Sequence, residues 1–463
     1  MSKIVKRILF CLLIILVIGV ILFLVIANRT VAPFIVKVEK TESITYDDRI
    51  IINVYVDNYF YKLNKDVWCY LSEDGKVASM DDNDWQLASN GYCSFTALNG
   101  DYNVYVRDKY GNISDINKQK VDINKVLDIK TNKDIFYLYV GQRDTITYEV
   151  DAIGDKNPEI LFTSENENVV RVDDNGLITA VGYGVTNIRV GPKNGIYHSV
   201  KVYVPSFLVK PHTGLKDLLT CNQFTREEAK LIDDALFDRV NEAGYGTRAG
   251  VIAAARFLTL EFNYRVPYFF ENGRLENFPP YEHVDGEGRY YHRGLYLDSS
   301  KFKDIAEALN GPVIWGCNLM NYTNWYDKNY TYKEGYKYPN GLDCSGFVTW
   351  ALLNGGFDVG DIGAGLDPNH KVLSDIANRQ RITDELMSSG KVKVGDLIGN
   401  NGHAAIIAGV DGENYYIAEA LPNIGGVRIT TVPRSKLVHN SIYTFIVLMD
   451  DIYKSDGNYS DMW

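Results

Sequence analysis

Asn340-Gly-Leu-Asp-Cys-Ser-Gly-Phe-Val-Thr-Trp-Ala-Leu-Leu-Asn-Gly-Gly356 is the stretch on which the reading of this chain turns. Phe347, Ala351 and Leu352 recur on one helical face, and Gly355-Gly356 supply a stop. Asp343 stands where an N-cap would accept from the first turn, so Cys344 is expected to open the helix. The positive end of a helix favours an anion, and the thiolate is the nucleophilic form of cysteine. A cysteine at a helix start fits an inert buried thiol equally well, so a nucleophile requires a base elsewhere in the chain.

The chain has seven histidines. His403 follows Val394-Gly-Asp-Leu-Ile-Gly-Asn-Asn-Gly and opens Ala404-Ala-Ile-Ile-Ala-Gly-Val, an apolar run with the pattern of a strand buried on both faces. A third group is expected to accept a hydrogen bond from the far nitrogen of His403 and fix its tautomer. A three-residue hairpin loop at Val410-Asp411-Gly412, with Gly412 left-handed, would pair 409 with 413 and set 403 opposite Glu419. A register slip of one residue would send that carboxylate to the wrong face.

Taken in order, Asp343-Cys-Ser-Gly-Phe, Gly395-Asp-Leu-Ile and Gly402-His-Ala-Ala-Ile-Ile-Ala-Gly resemble the NlpC-type cell-wall cysteine peptidases across about residues 301 to 449. The resemblance implies a papain-like α+β fold with a cysteine-bearing helix on an antiparallel sheet. It implies a substrate too: the stem peptide of peptidoglycan, cut between γ-linked D-glutamate and a diamino acid. Cys344 and His403 would form the ion pair, and Glu419 takes a place often held by a second histidine. Asp343 and Ser345 would help bind the free amine of the stem. No metal or other cofactor is implied. Two departures stand out. Val313 occupies a position where the family usually has tyrosine, for which Tyr336 or Tyr338 are the substitutes at hand, and the stretch between Cys317 and Asn340 is an insertion rich in Tyr, Asn and Lys. Two rival readings are a CHAP-type amidase or endopeptidase and a catalytically inactive surface adhesin or wall-binding scaffold.

Outward from this segment the chain reads as a series of modules. Residues 1–7 carry Lys3, Lys6 and Arg7, and residues 8–27 are an unbroken apolar run, expected to span a membrane with the N-terminus cytoplasmic and the remainder exported. Cys11 falls inside that run. Residues 31–125 and 126–204 alternate in strand-like fashion between turn signals, which predicts two all-β sandwiches. The first resembles bacterial surface immunoglobulin-like modules around Asn99–Asn112. The second resembles the group-two bacterial Ig-like domain, with Asp174–Gly176 as a hairpin turn. Such modules fit a spacer or a site for a wall or surface ligand.

A capping box at Thr225-x-x-Glu228 opens a helical lead-in over 212–300, with a second helix over Arg248–Glu261. It ends in an aromatic stretch containing Tyr281, His283, Tyr290, Tyr291 and His292. The peptidase-like region is taken as 301–450, and 451–463 as a tail. Of six cysteines, Cys69 and Cys93 are candidates for one bridge. Cys221 and Cys317 are a second pair by elimination, which leaves Cys344 as a thiol. The net charge of −11 argues against nucleic-acid binding, which requires a basic face.

Overall fold

The computed structural model describes residues 3–42, 49–57, 66–73, 83–114, 119–123, 125–153, 158–193, 196–268, 293–295, 297, 314–320, 325–327, 330–332, 337–359 and 378–463. Tyr281, His283, Tyr290, Tyr291, His292, Val313 and Tyr336 lie outside these residues, as does the side chain of Tyr338. The described chain divides into two compact units. One comprises residues 1–136, 144–178 and 186–202, and the other 137–143, 179–185 and 203–463.

The first unit begins with helix α1 (Lys3–Thr30), long and apolar enough to cross a membrane, with Cys11 exposed on its surface. Seven strands follow: β1 (Phe34–Glu42), β2 (Ile50–Asp57), β3 (Val67–Glu73), β4 (Gln86–Leu87), β5 (Tyr92–Ala97), β6 (Gly100–Asp108) and β7 (Gln119–Ile123). They form two antiparallel sheets, ordered β1-β2-β5 and β4-β3-β6-β7. Alternation decides which side of each strand is covered: Ile50, Ile52, Val54 and Val56 of β2 are buried while their neighbours are not. Both sheets contribute to one core, and a disulfide from Cys69 on β3 to Cys93 on β5 joins them.

Nine further strands cover Val126–Val204: β8 (Val126–Thr131), β9 (Ile135–Tyr137), β10 (Arg143–Thr145), β11 (Tyr148–Ala152), β12 (Leu161–Ser164), β13 (Val170–Val172), β14 (Leu177–Ala180), β15 (Gly184–Gly191) and β16 (His198–Val204). The expected turn is present, with Gly176 left-handed and its N–H donating to the carbonyl of Asp173 at 3.0 Å.

Past residue 203 the second unit carries two helices, α2 (Arg226–Ala243) and α3 (Arg248–Arg256), the latter ending in a π-helical turn over Phe257–Glu261. The capping box at α2 is complete in both directions, and Ala229, Ile232, Leu236 and Val240 are its buried positions. Short strands β17 (Asn318–Met320), β18 (Trp325–Asp327), β19 (Tyr330–Tyr332) and β20 (Lys337–Pro339) lead to helix α4 (Cys344–Asn354). Strands β21 (Asn378–Arg381), β22 (Leu397–Asn400), β23 (His403–Val410), β24 (Asn414–Leu421), β25 (Gly426–Pro433) and β26 (Phe445–Leu448) then build one antiparallel sheet, ordered β21-β26-β22-β23-β24-β25.

Helix α4 packs on α3, β23 and β24, and ten of its eleven residues are buried. Such burial explains why its sequence is apolar nearly all round rather than on one stripe. Trp350 donates from Nε1 to the Gly294 carbonyl at 2.7 Å and is flanked by Trp315, which belongs to the core. The bridge between Cys221 and Cys317 lies in this unit.

The last residues are docked rather than loose. Arg248 and Ala249 donate their N–H groups to the carbonyls of Ser455 and Asp456, and Val410 N–H donates to the Asp461 carbonyl. The fully buried guanidinium of Arg248 meets Asp396 at 2.8 Å, Asp456 at 2.9 Å and Asp450. Asp396, read from sequence as part of a motif, therefore anchors the helical lead-in and the tail to the start of β22.

Candidate active site

Asp343 caps α4 as its position implies: its Oδ1 accepts from Gly346 N–H at 2.7 Å, and its backbone carbonyl accepts from Phe347 N–H at 3.0 Å. The cap holds Cys344 in the first turn, where the residue is 8% exposed and its thiol unbridged. Ser345 Oγ donates to Asp343 Oδ1 at 3.2 Å, so both residues expected to bind an amine are also built into this turn. The preceding segment is held by its own backbone: Asn340 N–H donates to Cys317 carbonyl at 2.8 Å and Leu342 N–H to Pro267 carbonyl at 3.0 Å. A methyl group on Gly341 would run into the Pro267 carbonyl, so only glycine permits this approach.

His403 opens β23, and the Cys344 side chain acts electrostatically on its imidazole. Its Nε2 meets Glu419 Oε2 at 2.6 Å. Burial works against charge on the imidazole, but the influence of Cys344 and Glu419 outweighs it and raises its pKa to about 9. The protonated ring is therefore the state that the site favours at neutral pH.

Glu419 is wholly buried, and two more donors reach it. Tyr443 Oη donates to Oε2 at 2.8 Å, and Thr430 Oγ1 donates to Oε1. Burial, followed by the charge of Glu419 and the hydrogen bond to it, pushes the Tyr443 phenol well above its ordinary range, so it remains a donor. Sequence reasoning missed both residues. Thr430 carries a weak signal, as a hydroxyl on the strand next to Glu419; Tyr443 lies in a turn segment with nothing local to distinguish it.

The hairpin that brings His403 and Glu419 together differs from the expected one. Val410 pairs with Tyr415 and Gly409 with Tyr416, an irregularity follows at Ala408, and Ile407 then pairs with Ile417 and Ile406 with Ala418. The loop runs over 411–414 with Asp411 Oδ1 accepting from Glu413 and Asn414 N–H groups at 2.7 and 2.6 Å. Gly412 is not left-handed, because Asp411 supplies the turn that a glycine was expected to supply. Carried on, the register places Ala405 rather than His403 opposite Glu419. The offset is two residues, which preserves the face, and the two long side chains meet on the diagonal.

Among the described residues no group of three or more His, Cys, Asp or Glu side chains is arranged to hold a metal ion. The arrangement present is a thiol, an imidazole and a carboxylate in series at a helix N-terminus, which is suited to nucleophilic attack with proton transfer.

No family model matches the chain, and no curated protein matches it. Parts of it align with solved structures. One is a 282-residue C-terminal fragment of intimin, crystallised with the intimin-binding domain of the translocated intimin receptor (16% identity, 46% of this chain and 79% of that one, TM-score 0.26). Another is invasin, a bacterial integrin-binding protein (13%, 48% and 48%, 0.24). A third comprises domains 4 and 5 of the S-layer protein SbsC (12%, 37% and 100%, 0.16). At such TM-scores these likenesses carry no argument about this chain's architecture or activity.

Proposed function

We propose that this chain is a membrane-anchored cysteine peptidase of the cell wall, hydrolysing peptidoglycan stem peptides at the bond between γ-D-glutamate and a diamino acid. The observation that carries the reading is the series Cys344, His403, Glu419, in which one imidazole feels the Cys344 side chain and meets the buried carboxylate through Nε2 at 2.6 Å. The ordered motifs around Cys344, Gly395 and His403 support it through their resemblance to NlpC-type enzymes. An antiparallel sheet against a cysteine-bearing helix is in keeping with a papain-like C-terminal unit.

In this reading Cys344 Sγ attacks the scissile carbonyl carbon, forming a C–S bond and a tetrahedral oxyanion. Gly346 and Phe347 N–H groups are committed to Asp343, so the oxyanion is assigned to the Cys344 N–H at the helix start. Imidazolium His403 gives its proton to the leaving amine as the C–N bond breaks. Neutral His403 then takes a proton from water, hydroxide displaces sulfur from the thioester, and the carboxylate product departs. Glu419 holds the ring in place throughout.

Helix α1 supplies the anchor, with Lys3, Lys6 and Arg7 on the cytoplasmic side, so the peptidase acts outside. The β modules lie between anchor and peptidase in sequence, the position of a spacer or of a wall-ligand module. The test is digestion of purified wall by the full-length protein and by Cys344→Ala, with products identified by mass spectrometry. The reading requires fragments cut after D-glutamate and their loss in the variant. Full activity in Cys344→Ala would end it, and release of the lactyl end of the stem would replace it with an amidase.

A further inference from the structure

On the far side of Glu419 from His403 the sheet carries two arginines with no acid between them. Glu419 on β24 pairs with Arg428 on β25. The segment 265–268 continues the sheet past β25: Pro267 bridges Gly426, Val427 N–H donates to Val266 carbonyl at 2.9 Å, and Tyr268 N–H donates to Gly425 carbonyl at 3.0 Å. Carried two residues on, that pairing brings Arg265 level with Arg428. Glu419, Arg428 and Arg265 thus form a row across neighbouring strands with His403 on the diagonal, and Arg265 stands about 10 Å from Glu419 in backbone terms at two strand spacings.

Arg265 is 8% exposed, and its Nε and Nη1 are buried with no hydrogen-bond partner among the described residues. Burial, and then the charge on Arg428, hold its guanidinium below its ordinary range, with Asp217 opposing. Like charges level with one another on adjacent strands repel, and a buried cation with idle donors is unfavourable. A bound anion resolves both.

We infer that Arg265 and Arg428 form a carboxylate-binding subsite beside Cys344, which receives a free carboxylate of the peptide substrate. The assignment of the carboxylate rests on the proposed activity. A glutamyl residue linked through its γ-carbonyl keeps its α-carboxylate free, a few bonds from the carbonyl that Cys344 attacks. A guanidinium with idle N–H donors at Nε and Nη1 matches that group in charge and hydrogen-bonding capacity. The α-amide of the same residue is neutral and presents its own donors, so the subsite selects against it.

The experiment uses detergent-solubilised full-length protein and two defined stem peptides, one with the α-carboxylate of D-glutamate free and one with it amidated. Wild type is expected to prefer the free carboxylate in kcat/KM by tenfold or more. Arg265→Gln and Arg428→Gln should each bring the ratio towards one; because it compares two substrates on one protein sample, partial misfolding cancels. A ratio unchanged in both variants overturns the inference while leaving the hydrolase reading intact. Calorimetric binding of the free-carboxylate peptide to Cys344→Ala, and its weakening in Cys344→Ala/Arg265→Gln, tests the subsite without turnover. Arg265-dependent binding without wild-type cleavage would sustain the subsite and refute the peptidase. Inorganic phosphate competing as well as the peptide would overturn the assignment to a carboxylate.

Discussion

Nε2 of His403 and Oε2 of Glu419 meet at 2.6 Å, and the carboxylate is entirely out of solvent. A buried carboxylate in contact with an imidazole stabilises the imidazolium, and Tyr443 and Thr430 satisfy the acceptor sites that His403 does not use. Replacing Glu419 with Gln keeps the shape and removes the charge. The pKa of His403, raised to about 9, should fall towards its ordinary 6.5. Peptide cleavage and alkylation of Cys344 should then lose their alkaline limb at lower pH than in wild type. We expect kcat/KM to drop on the order of 10²-fold at neutral pH. An alkaline limb that does not move in Glu419→Gln would show that this carboxylate does not hold the charge.

The same shift predicts a pH dependence of stability. The folded pKa of His403, about 9, lies above its ordinary value of 6.5. Its contribution is therefore fully present below pH 6.5 and is lost as pH rises through 9. The size is on the order of 3 kcal/mol if the whole shift is realised. Urea unfolding at pH 6 and pH 10 should show a larger loss in wild type than in His403→Gln. Equal losses in the two proteins would assign the alkaline weakening to other groups.

Local chemistry made much of this site legible. The cap at Asp343, the helix start at Cys344 and the strand start at His403 each rest on residues within a few positions, where spacing alone carries the signal. The pairing of His403 with Glu419 was legible only in part. Parity survives a shift of two residues, but the irregularity at Ala408 and the Asp411 turn depend on how two strands settle against each other. Thr430, Tyr443 and the Arg265–Arg428 pair arrive from other strands or segments. No sequence period links them to Cys344. The tail likewise, polar and aromatic, has no assignment in sequence until Arg248 is seen to meet its carboxylates.

Gly399 offers a backbone test of the site. It pairs with Ala404, and a methyl group there would run into the carbonyl oxygen of His403 itself. Gly399→Ala must therefore push β22 from β23 at the residue that carries the imidazole. The expected result is a protein that folds, retains the Cys69–Cys93 bridge and loses most of its activity, because misplacing a catalytic group by about 1 Å can cost 10²-fold. Measuring kcat/KM beside the thermal midpoint separates the effects. Activity within twofold of wild type would mean that the strand pair absorbs the methyl without moving His403.

Arg248 provides the last test, and it concerns how the site is held rather than how it reacts. Its guanidinium has no solvent exposure, bridges Asp396, Asp456 and Asp450, donates to the Val394 carbonyl at 3.1 Å and stacks on Tyr453. Asp396 is itself buried and accepts Met449 N–H at 3.0 Å and Lys393 N–H at 2.8 Å, so removing the cation leaves a carboxylate inside the protein with N–H donors alone. Breaking such a pair from one side typically costs about 3–5 kcal/mol. Arg248→Met should therefore unfold the C-terminal unit at markedly lower temperature. Arg248→Lys should not restore it, since one ammonium cannot span three carboxylates from a fixed stem. Arg248→Met combined with Asp396→Asn removes both buried charges and should recover part of the loss. If the double variant is no more stable than Arg248→Met, the loss comes from the packing of the guanidinium stem against Tyr453 and not from the stranded carboxylate.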